Sequence, residues 1–211
     1  MKVFGIDTTR KRANIFVIDT AGSGRINSLT LDENIKHSEG LFLYIEKALI
    51  ENDISIQDVD CFACVVGPGS FTGIRVGMST IKGLNKVLNK SVVAINMFEV
   101  LLPTLKKGVI VLNSTTTSCY YAKVNKGAII DTGVVQKVDI ESLADGEVVV
   151  LLNEEQEAIG LSYNKCKVVN NLSDLYLQCV IDRLNKAEYG ELVPYYLQLS
   201  QAERNLDNGK N

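Results

Sequence analysis

Two short polar stretches contain residue types that could hold a phosphate or a metal ion. The first is Asp7, Thr8 and Thr9, which follow the apolar residues 3–6 in a tight turn. A carboxylate there could orient a Mg²⁺-bound water, while the threonine hydroxyls and backbone N–H groups donate to phosphate oxygens. The same residue types also form turns whose side chains hydrogen-bond their own backbone. From spacing alone we favour the structural turn.

The second stretch is the glycine-rich sequence GPGSFTG at residues 67–73. It follows an apolar run and precedes a helical pattern, and a glycine turn at a helix N-terminus is an arrangement that binds anions. Its candidate phosphate contacts are Gly67, Gly69, Ser70, Thr72 and Gly73. Ile74 stands where a P-loop has lysine, so the pattern matches neither the P-loop nor the dinucleotide fingerprint. A structural turn with a helix cap is an equal alternative.

Histidine and cysteine content restricts the other kinds of site. His37 is the only histidine, which excludes a site with two imidazole ligands. A peptidase would have to combine His37 with a serine such as Ser70, and no G-x-S-x-G turn presents one. Cys61 and Cys64 have the spacing of half a zinc or redox site, but a second pair is missing. We interpret them as small apolar residues of a strand.

Composition excludes several classes of protein. The 211 residues are 46% hydrophobic with a net charge of −3, which is typical of a folded chain of one or two domains. The pI of about 5.3 argues against a nucleic-acid-binding protein, and no apolar run is long enough to cross a bilayer. The odd number of scattered cysteines, five, and the lack of a secretory signal indicate a reducing cytoplasm.

The first half of the chain shows the pattern of a mixed sheet. Apolar and alternating runs predict three strands, near residues 3–6, 13–19 and 26–31, joined by connections too short for parallel pairing. A helix follows, then a strand over 61–66, a helix to about residue 89, a strand over 92–95 and a helix over 98–105. A meander followed by helical crossovers implies a mixed sheet with helices packed on it.

The second half is less regular. Strands are expected over residues 109–112, 118–124, 128–135 and 148–152, and helices over 154–160 and 172–186. Its three opening strands echo the first half, which hints at a duplicated fold. The predicted division is a first lobe over residues 1–105, a smaller second lobe over 106–200 and a flexible tail over 201–211.

Two helices carry more apolar or small surface than one core needs. The first contains Phe42, Leu43, Tyr44 and Ile50 beside its core-facing stripe, so its second side is covered either by this chain or by a partner. The second contains three glycines, each of which costs about 1 kcal/mol relative to alanine inside a helix. Such small side chains indicate the close approach of another helix.

Three motifs together resemble a known family. Asp7-Thr8, the GPGSFTG loop with Arg75 and Gly77 after it, and Pro194-x-Tyr196-Leu197-Gln198 occur in nearly the order and spacing of the TsaB family, also called YeaZ. The resemblance is strong over residues 1–105 and returns at 194–203. It implies an α/β fold of the actin/Hsp70/sugar-kinase (ASKHA) type, with two related lobes, mixed sheets and a reduced second lobe.

The resemblance also implies a function. TsaB proteins act in the cytoplasm as glycoprotease-like, non-catalytic partners of the tRNA threonylcarbamoyltransferase TsaD. With the ATPase TsaE they support threonylcarbamoyl transfer to the adenosine beside the anticodon. A homodimer is expected when the protein is alone, and indirect contact with tRNA is expected because this chain is acidic. The open alternatives are an independent ATPase or kinase and, less favoured, a peptidase.

Two departures from the catalytic relatives argue against turnover by this chain. Met97 and Leu101 stand where the resemblance places the two metal-binding histidines, and neither can replace an imidazole. Asn113, Ser114 and Thr115 stand where many TsaB-like sequences have Asp-Ala-Arg. We therefore expect no catalytic residue, no metal and no cofactor, and we regard Asp7–Thr9 and the GPGSFTG loop as the remnant of a nucleotide site.

A non-catalytic role gives the two unusual helices a purpose as a helix-on-helix interface. For Arg75, a contact with a partner or a nucleotide and a solvated position on the helix face are equal alternatives. The candidate interface residues are Leu41, Tyr44, Ile45, Ala48, Arg75, Val76, Gly77, Thr80, Gly83 and Val87. On this interpretation, Gly77→Leu would disrupt association while the monomer stayed folded.

Overall fold

The computed structural model describes residues 1–21, 24–31, 37–161 and 164–198. The chain divides into two compact units. The first comprises Met1–Pro103 and Asn171–Pro194, and the second comprises Thr104–Asn170 and Tyr195–Asn211. The chain therefore leaves the first unit close to the predicted boundary at residue 105, but it returns for a C-terminal helix that the sequence analysis placed in the second lobe. The predicted tail over 201–211 lies outside the described residues.

A five-stranded mixed sheet forms the centre of the first unit. Its elements in chain order are β1 (Lys2–Asp7), β2 (Asn14–Asp19), β3 (Arg25–Thr30), α1 (His37–Glu51), β4 (Cys61–Gly67), α2 (Phe71–Leu88), β5 (Ser91–Asn96) and α3 (Met97–Leu101). The strands lie in the order β3-β2-β1-β4-β5. The first three are antiparallel, and β1, β4 and β5 are parallel. The predicted meander with helical crossovers is confirmed.

Helices cover both faces of this sheet. Side chains alternate along a strand, so Ile6 and Asp7 of β1 point to opposite faces. The face with Ile6 packs against α2, where Gly77 lies close to Ile6 and Cys64. The opposite face packs against the C-terminal helix α6 (Ser173–Asn185). Burial on both faces explains why β1 and β4 have continuous apolar sequences rather than alternating ones.

The helix α2 has a clear start and end. Ser70 is its N-cap, and the Ser70 Oγ accepts a hydrogen bond of 3.2 Å from the backbone N–H of Gly73. Its last turn ends at Asn89, which adopts a left-handed conformation with φ of 49°. A polar N-cap and a left-handed residue after the last turn are common helix boundaries. The GPGSFTG loop thus works locally as a strand end followed by a helix cap.

The second unit repeats the topology of the first. Its elements are β6 (Gly108–Asn113), β7 (Ser118–Asn125), β8 (Ala128–Gln136), α4 (Ile140–Ala144), β9 (Val149–Leu152), α5 (Gln156–Ile159) and β10 (Cys166–Val169). The sheet order β8-β7-β6-β9-β10 corresponds to β3-β2-β1-β4-β5 strand for strand, with the same parallel and antiparallel pairs. The duplication indicated by the sequence is therefore present.

The second unit is reduced in its helices. Its crossover helices α4 and α5 have 5 and 4 residues, whereas α1 and α2 have 15 and 18. They cover a core that includes Val109, Val111, Val149 and Leu151 on one face of the sheet. The strand β10 and the helix α4 were not predicted, because 4 and 5 residues are too few to show a periodic pattern of apolar side chains. Among the described residues, no helix is both long and apolar enough to cross a membrane.

Candidate functional site

Asp7 ends β1 with its side chain buried and only 1% exposed. Its Oδ1 accepts two hydrogen bonds from Thr9, one of 2.8 Å from the backbone N–H and one of 2.6 Å from the hydroxyl. This is the self-bonded turn that such residues form in many proteins. One oxygen of the carboxylate is therefore used to hold the turn itself.

The other carboxylate oxygen is used by a residue far along the chain. The hydroxyl of Tyr176 in α6 donates a 2.6 Å hydrogen bond to the Asp7 Oδ2. The Tyr176 ring is buried and stacks on Phe16 of β2, with 4.7 Å between the ring centroids and 15° between the planes. The tyrosine therefore covers Asp7 on the face of the sheet where the carboxylate points.

The glycine-rich loop packs directly on the turn after β1. The Ser70 N–H donates to the Thr9 carbonyl at 2.9 Å, and the Thr8 hydroxyl donates to the Gly73 carbonyl at 2.6 Å. A Cβ added to Gly69 would lie 2.4 Å from the Thr9 carbonyl oxygen, and one added to Gly73 would lie 1.9 Å from the Thr8 carbonyl oxygen. These glycines permit the close approach of two backbone segments.

The rest of the glycine-rich loop is held by Arg10 and by the backbone conformation of Gly67. Arg10 is buried and donates through a guanidinium N–H to the Pro68 carbonyl at 3.3 Å. Gly67 has a φ of 127°, which a residue with a side chain rarely adopts. Thr72 is exposed in the first turn of α2. The Ser70 hydroxyl already accepts from the helix N-terminus, so it is a cap in this structure.

The structure brings together the two predicted halves of the phosphate site, Asp7–Thr9 and residues 67–73. It packs them against each other, however, so the glycines accommodate the chain's own carbonyl groups. Both oxygens of Asp7 already accept hydrogen bonds from the first unit's own residues. The arrangement has the contacts of a structural junction between β1, α2 and α6.

The residues at the expected metal position do not fit a metal. Met97 and Leu101 both lie in the short helix α3 with their side chains buried in the first unit. Thioether and alkyl groups are not ligands for the hard or borderline ions that two imidazoles bind. Over the described ranges, no three His, Cys, Asp or Glu side chains come together as a potential metal site.

The second unit has an amide where the first has Asp7. Asn113 is the last residue of β6, as Asp7 is of β1. Its backbone N–H donates to the buried Glu155 carboxylate at 2.9 Å. The hydroxyls of Thr115 and Ser118 lie 2.7 Å apart in the following turn. The carboxylate nearest this turn is therefore bound to the protein backbone.

The cysteines are free thiols, as the sequence predicted. Cys61 and Cys64 are buried in β4, and burial raises the pKa of Cys61 to about 12 and that of Cys64 further above its ordinary value. Burial likewise raises the pKa of Cys119 to about 11 and that of Cys179 to about 12. These protonated, buried thiols are poor nucleophiles and poor metal ligands.

Four predicted interface residues lie in the core of the first unit instead. Leu41, Ile45 and Ala48 are the buried face of α1. A Cβ added to Gly77 would lie 2.4 Å from the Thr8 Oγ1, so this glycine makes room for the chain's own turn. The expected effect of Gly77→Leu is therefore corrected: it would damage the fold of the first unit itself.

Five of the six other predicted interface residues lie on the accessible side of α2, and the sixth, Tyr44, belongs to α1. Val76 and Thr80 are half-buried, Gly83 and Val87 are exposed, and a Cβ added to Gly83 would meet nothing within 4 Å. These four positions follow steps of four, three and four residues, so they form one stripe along the helix. Arg75 is exposed, and its guanidinium lies 5.8 Å from the centre of the Phe71 ring.

The apolar surplus on α1 is exposed in this single chain. Phe42 and Leu43 are each 64% exposed and Ile50 is 70% exposed, whereas Tyr44 is half-buried. The helix α1 also contacts α2. His37 is the first residue of α1. Neither the chain's own strands nor α2 covers the second side of this helix.

Sequence reasoning missed Tyr176. Its sequence context predicts only a buried position on one face of α6, next to Cys179 and Val180. Nothing in the sequence links it to Asp7. The helix is further fixed to the first unit by Arg183, which forms an ion pair with Glu99 of α3. Because α6 belongs to the first unit and not to the second, its tyrosine reaches the carboxylate of Asp7.

Topology and site together define a class of protein, an α/β chain with two related units of the actin/Hsp70/sugar-kinase type. In this chain the carboxylate of Asp7, at the end of the first strand, is buried and hydrogen-bonded within the first unit. Two solved structures from Pseudomonas aeruginosa share the fold. One, described as YeaZ, matches with a TM-score of 0.69 and 16% identity. The other, described as similar to peptidase YeaZ, matches with 0.70 and 17%. Each comparison covers 93% of this chain and 99% of the other.

A family model described as TsaD, tRNA N6-adenosine threonylcarbamoyltransferase, matches residues 33–167, which is more than half of the chain. The chain belongs to this family, and the resemblance to its TsaB (YeaZ) members is confirmed.

Curated relatives carry the same description. The enzyme of Kosmotoga olearia is 41% identical over 61 residues, which cover 29% of this chain and 18% of that protein. The enzyme of Rhizobium etli is 31% identical over 117 residues, covering 47% and 32%. The chain spans about a third or less of the length of these curated relatives.

Proposed function

We propose that this chain is a non-catalytic subunit in the biosynthesis of threonylcarbamoyladenosine in tRNA. It binds and supports a TsaD-type catalytic subunit, together with a TsaE-type ATPase. The observation that carries the proposal is the closed environment of Asp7. Its two oxygens accept hydrogen bonds from Thr9 and Tyr176, and the glycine-rich loop is packed on the same turn.

The absence of catalytic ligands supports an accessory role. The Asp7 carboxylate faces Tyr176 and is not available to a nucleotide in this arrangement. By the resemblance to the family, Asn113 stands at the position of a second carboxylate, and Met97 and Leu101 stand at the positions of the two histidines. An accessory subunit requires a docking surface in place of these groups.

The exposed side of α1 and α2 supplies such a surface, which we call the docking face. It consists of Phe42, Leu43, Ile50, Val76, Thr80, Gly83 and Val87. Large exposed apolar side chains on neighbouring helices are typical of an interaction site. On α2, the small residues Thr80 and Gly83 let a partner helix approach closely. Two helices from each chain can supply the roughly 800 Å² per partner that a stable interface buries.

We assign the docking face to a TsaD-type subunit because the family model of that enzyme matches residues 33–167, which include α1 and α2. The catalytic relative is therefore expected to have corresponding helices. A second copy of this chain is the competing occupant. Sedimentation of the chain alone and with the catalytic subunit distinguishes them. We expect the mixed complex to form in preference to the homodimer.

A matched pair of variants tests the position of the docking face. Val87 is 84% exposed on α2, and Val138 is 88% exposed in the second unit. Val87→Glu places a charge in the docking face and should weaken association with the catalytic subunit by roughly tenfold or more. Val138→Glu makes the same chemical change elsewhere and should leave association unchanged. Equal binding by both variants would show that the docking face is misassigned.

Titration with Mg-ATP separates the accessory role from an independent ATPase. We expect no binding at micromolar concentration by the isolated chain, because both oxygens of the Asp7 carboxylate beside the glycine-rich loop already accept hydrogen bonds from Thr9 and Tyr176. Micromolar binding with phosphate release would overturn the proposal and favour the enzyme. Cleavage of a glycoprotein that disappears in Ser70→Ala would favour the peptidase alternative instead.

A further inference from the structure

One edge of the sheet in the second unit is unusually basic. Five lysines lie where strands begin or turn at this edge, although the whole chain has a net charge of −3. We call this surface the lysine edge. It consists of Lys106, Lys107, Lys126, Lys165 and Lys167. All five side chains are exposed.

The topology brings the five residues to the same edge. Lys106 and Lys107 precede β6, and Lys165 precedes β10, which runs parallel to β9 and so in the direction of β6. Lys126 lies in the turn between the antiparallel strands β7 and β8. With about 4.8 Å between neighbouring strands, the row from β10 to β8 spans about 19 Å.

Individual contacts confirm the arrangement. The Gly127 N–H donates to the Lys106 carbonyl at 2.8 Å, which places Lys106 beside the turn that holds Lys126. The Val149 N–H donates to the Lys165 carbonyl at 3.0 Å. The ammonium group of Lys167 donates to the Thr104 carbonyl at 2.6 Å.

The carboxylates at this edge are too few to neutralise it. Glu147 lies 2.6 Å from the Lys107 ammonium group, and this hydrogen bond raises the pKa of Lys107 and lowers that of Glu147. Asp145 is a further acidic residue close to Lys107, and the charge of Lys165 also lowers the pKa of Glu147. Within the described part of the chain, the lysines of this edge other than Lys107 form no direct ion pair. Lys123 is left out of the surface because it lies within β7, opposite Asp131 in the strand register.

The conformation of Lys126 gives an independent reason to regard this edge as functional. The β7–β8 turn has two residues, Lys126 with a φ of 53° and Gly127 with a φ of 75°. Such a turn strongly favours Asn-Gly, Asp-Gly or Gly-Gly, because both residues must adopt positive φ. Lysine is a poor choice for the turn itself. A non-glycine residue held in this region often indicates a functional constraint.

We propose that the lysine edge contacts the phosphate backbone of the tRNA substrate. The identification of RNA as the ligand depends on the proposed function. The identification of the surface depends only on the positions of the five lysines. Ammonium groups that replace condensed counterions bind phosphates without reading sequence. A row of about 19 Å suits a backbone better than a single anion. This revises the expectation, based on net charge, that tRNA phosphates are contacted mostly by partners, because these lysines are concentrated at one edge of an otherwise acidic chain.

The first test measures binding of an unmodified tRNA transcript at several salt concentrations, with the full chain alone and in complex with a TsaD-type subunit. Lys106→Glu combined with Lys126→Glu should lower affinity roughly tenfold and reduce the slope of log K against log salt by about two. The control combines Lys82→Glu with Lys86→Glu, which changes the charge equally on α2 of the first unit. An equal loss in the control would show that only net charge matters and would overturn the proposal.

A second variant excludes a folding artefact. Lys126→Asn improves the turn chemistry, so its free energy of unfolding should stay equal or rise while tRNA binding falls severalfold. Unchanged tRNA binding by this variant and by the double variant would overturn the proposal. Association with the catalytic subunit is measured on the same samples. If the unaltered chain does not associate with the catalytic subunit, the proposed function is contradicted instead. The failure of this proposal and the failure of the proposed function are therefore distinguishable.

Discussion

Tyr176 donates a 2.6 Å hydrogen bond to the carboxylate of Asp7, a residue 169 positions earlier in the chain. The contact joins the C-terminal helix α6 to the first strand of the fold. It also completes the hydrogen bonding of a buried carboxylate, whose other oxygen is bound by Thr9. A buried polar group is costly when its partner is missing, so the tyrosine and the aspartate depend on each other.

Replacement of the tyrosine tests this dependence. Tyr176→Phe keeps the ring stacked on Phe16 and removes only the hydroxyl. We expect the free energy of unfolding to fall by about 1–3 kcal/mol, because the Asp7 Oδ2 loses its donor in a buried site. Urea unfolding measures the change. Tyr189→Phe, at an exposed tyrosine, is the control and should change stability by less than about 0.5 kcal/mol.

The pair of variants Gly73→Ala and Gly83→Ala distinguishes close backbone packing from phosphate binding. Both residues belong to α2, but only Gly73 has a neighbouring carbonyl oxygen within 1.9 Å of its added Cβ. Gly73→Ala should lower the free energy of unfolding by about 1–3 kcal/mol or more. Gly83→Ala should raise it by up to about 1 kcal/mol, since alanine is the better helix former.

Thermal or urea unfolding of the two glycine variants gives the answer. A phosphate loop would tolerate Gly73→Ala in the absence of ligand, so an unchanged stability for that variant would contradict the packed junction. A loss of stability in Gly83→Ala would show that the stripe of Val76, Thr80, Gly83 and Val87 is already covered within the chain. These residues would then not belong to the docking face.

Buried thiols predict how stability depends on pH. Burial raises the pKa of Cys61 to about 12 and that of Cys119 to about 11, above the value of about 8.5 in an unfolded chain. The stabilisation from neutral thiols is therefore complete below about pH 8.5 and is lost as the pH rises toward the folded values. Each thiol contributes a loss of about 1.4 kcal/mol per pH unit once the unfolded form is ionised.

Urea unfolding under reducing conditions between pH 7 and 9.5 measures this loss. Cys119→Val removes one ionisable thiol, so its stability should fall less steeply with pH than that of the unaltered chain. The two proteins have the same lysine and tyrosine side chains and differ only at residue 119, which makes the comparison specific. Identical slopes for the two proteins would contradict the assignment of Cys119 as a buried, protonated thiol.

Much of the fold follows from local sequence patterns. The short connections between β1, β2 and β3 permit only antiparallel neighbours, and the structure has that meander. The periods of α2 and of the strands around it are long enough to identify. The strand β10 and the helix α4 were missed because 4 or 5 residues do not establish a period.

The interface assignment shows where pattern reasoning fails. Small residues at Gly77 and Gly83 look equivalent in the sequence. In the structure one meets Thr8 of the same chain and the other meets nothing within 4 Å. Sequence spacing gives the face of a helix on which a residue lies, but it does not give the distance to the neighbouring element.

The sequence by itself determined most of the order of elements and the free cysteines, since these depend on residue type or on neighbours a few positions away. Only the tertiary structure decided that Tyr176 covers Asp7 and donates a hydrogen bond to it, that α6 belongs to the first unit and that five lysines lie at one edge of a sheet. Those relationships join residues far apart in the chain, and no local periodicity records which distant segments pack together.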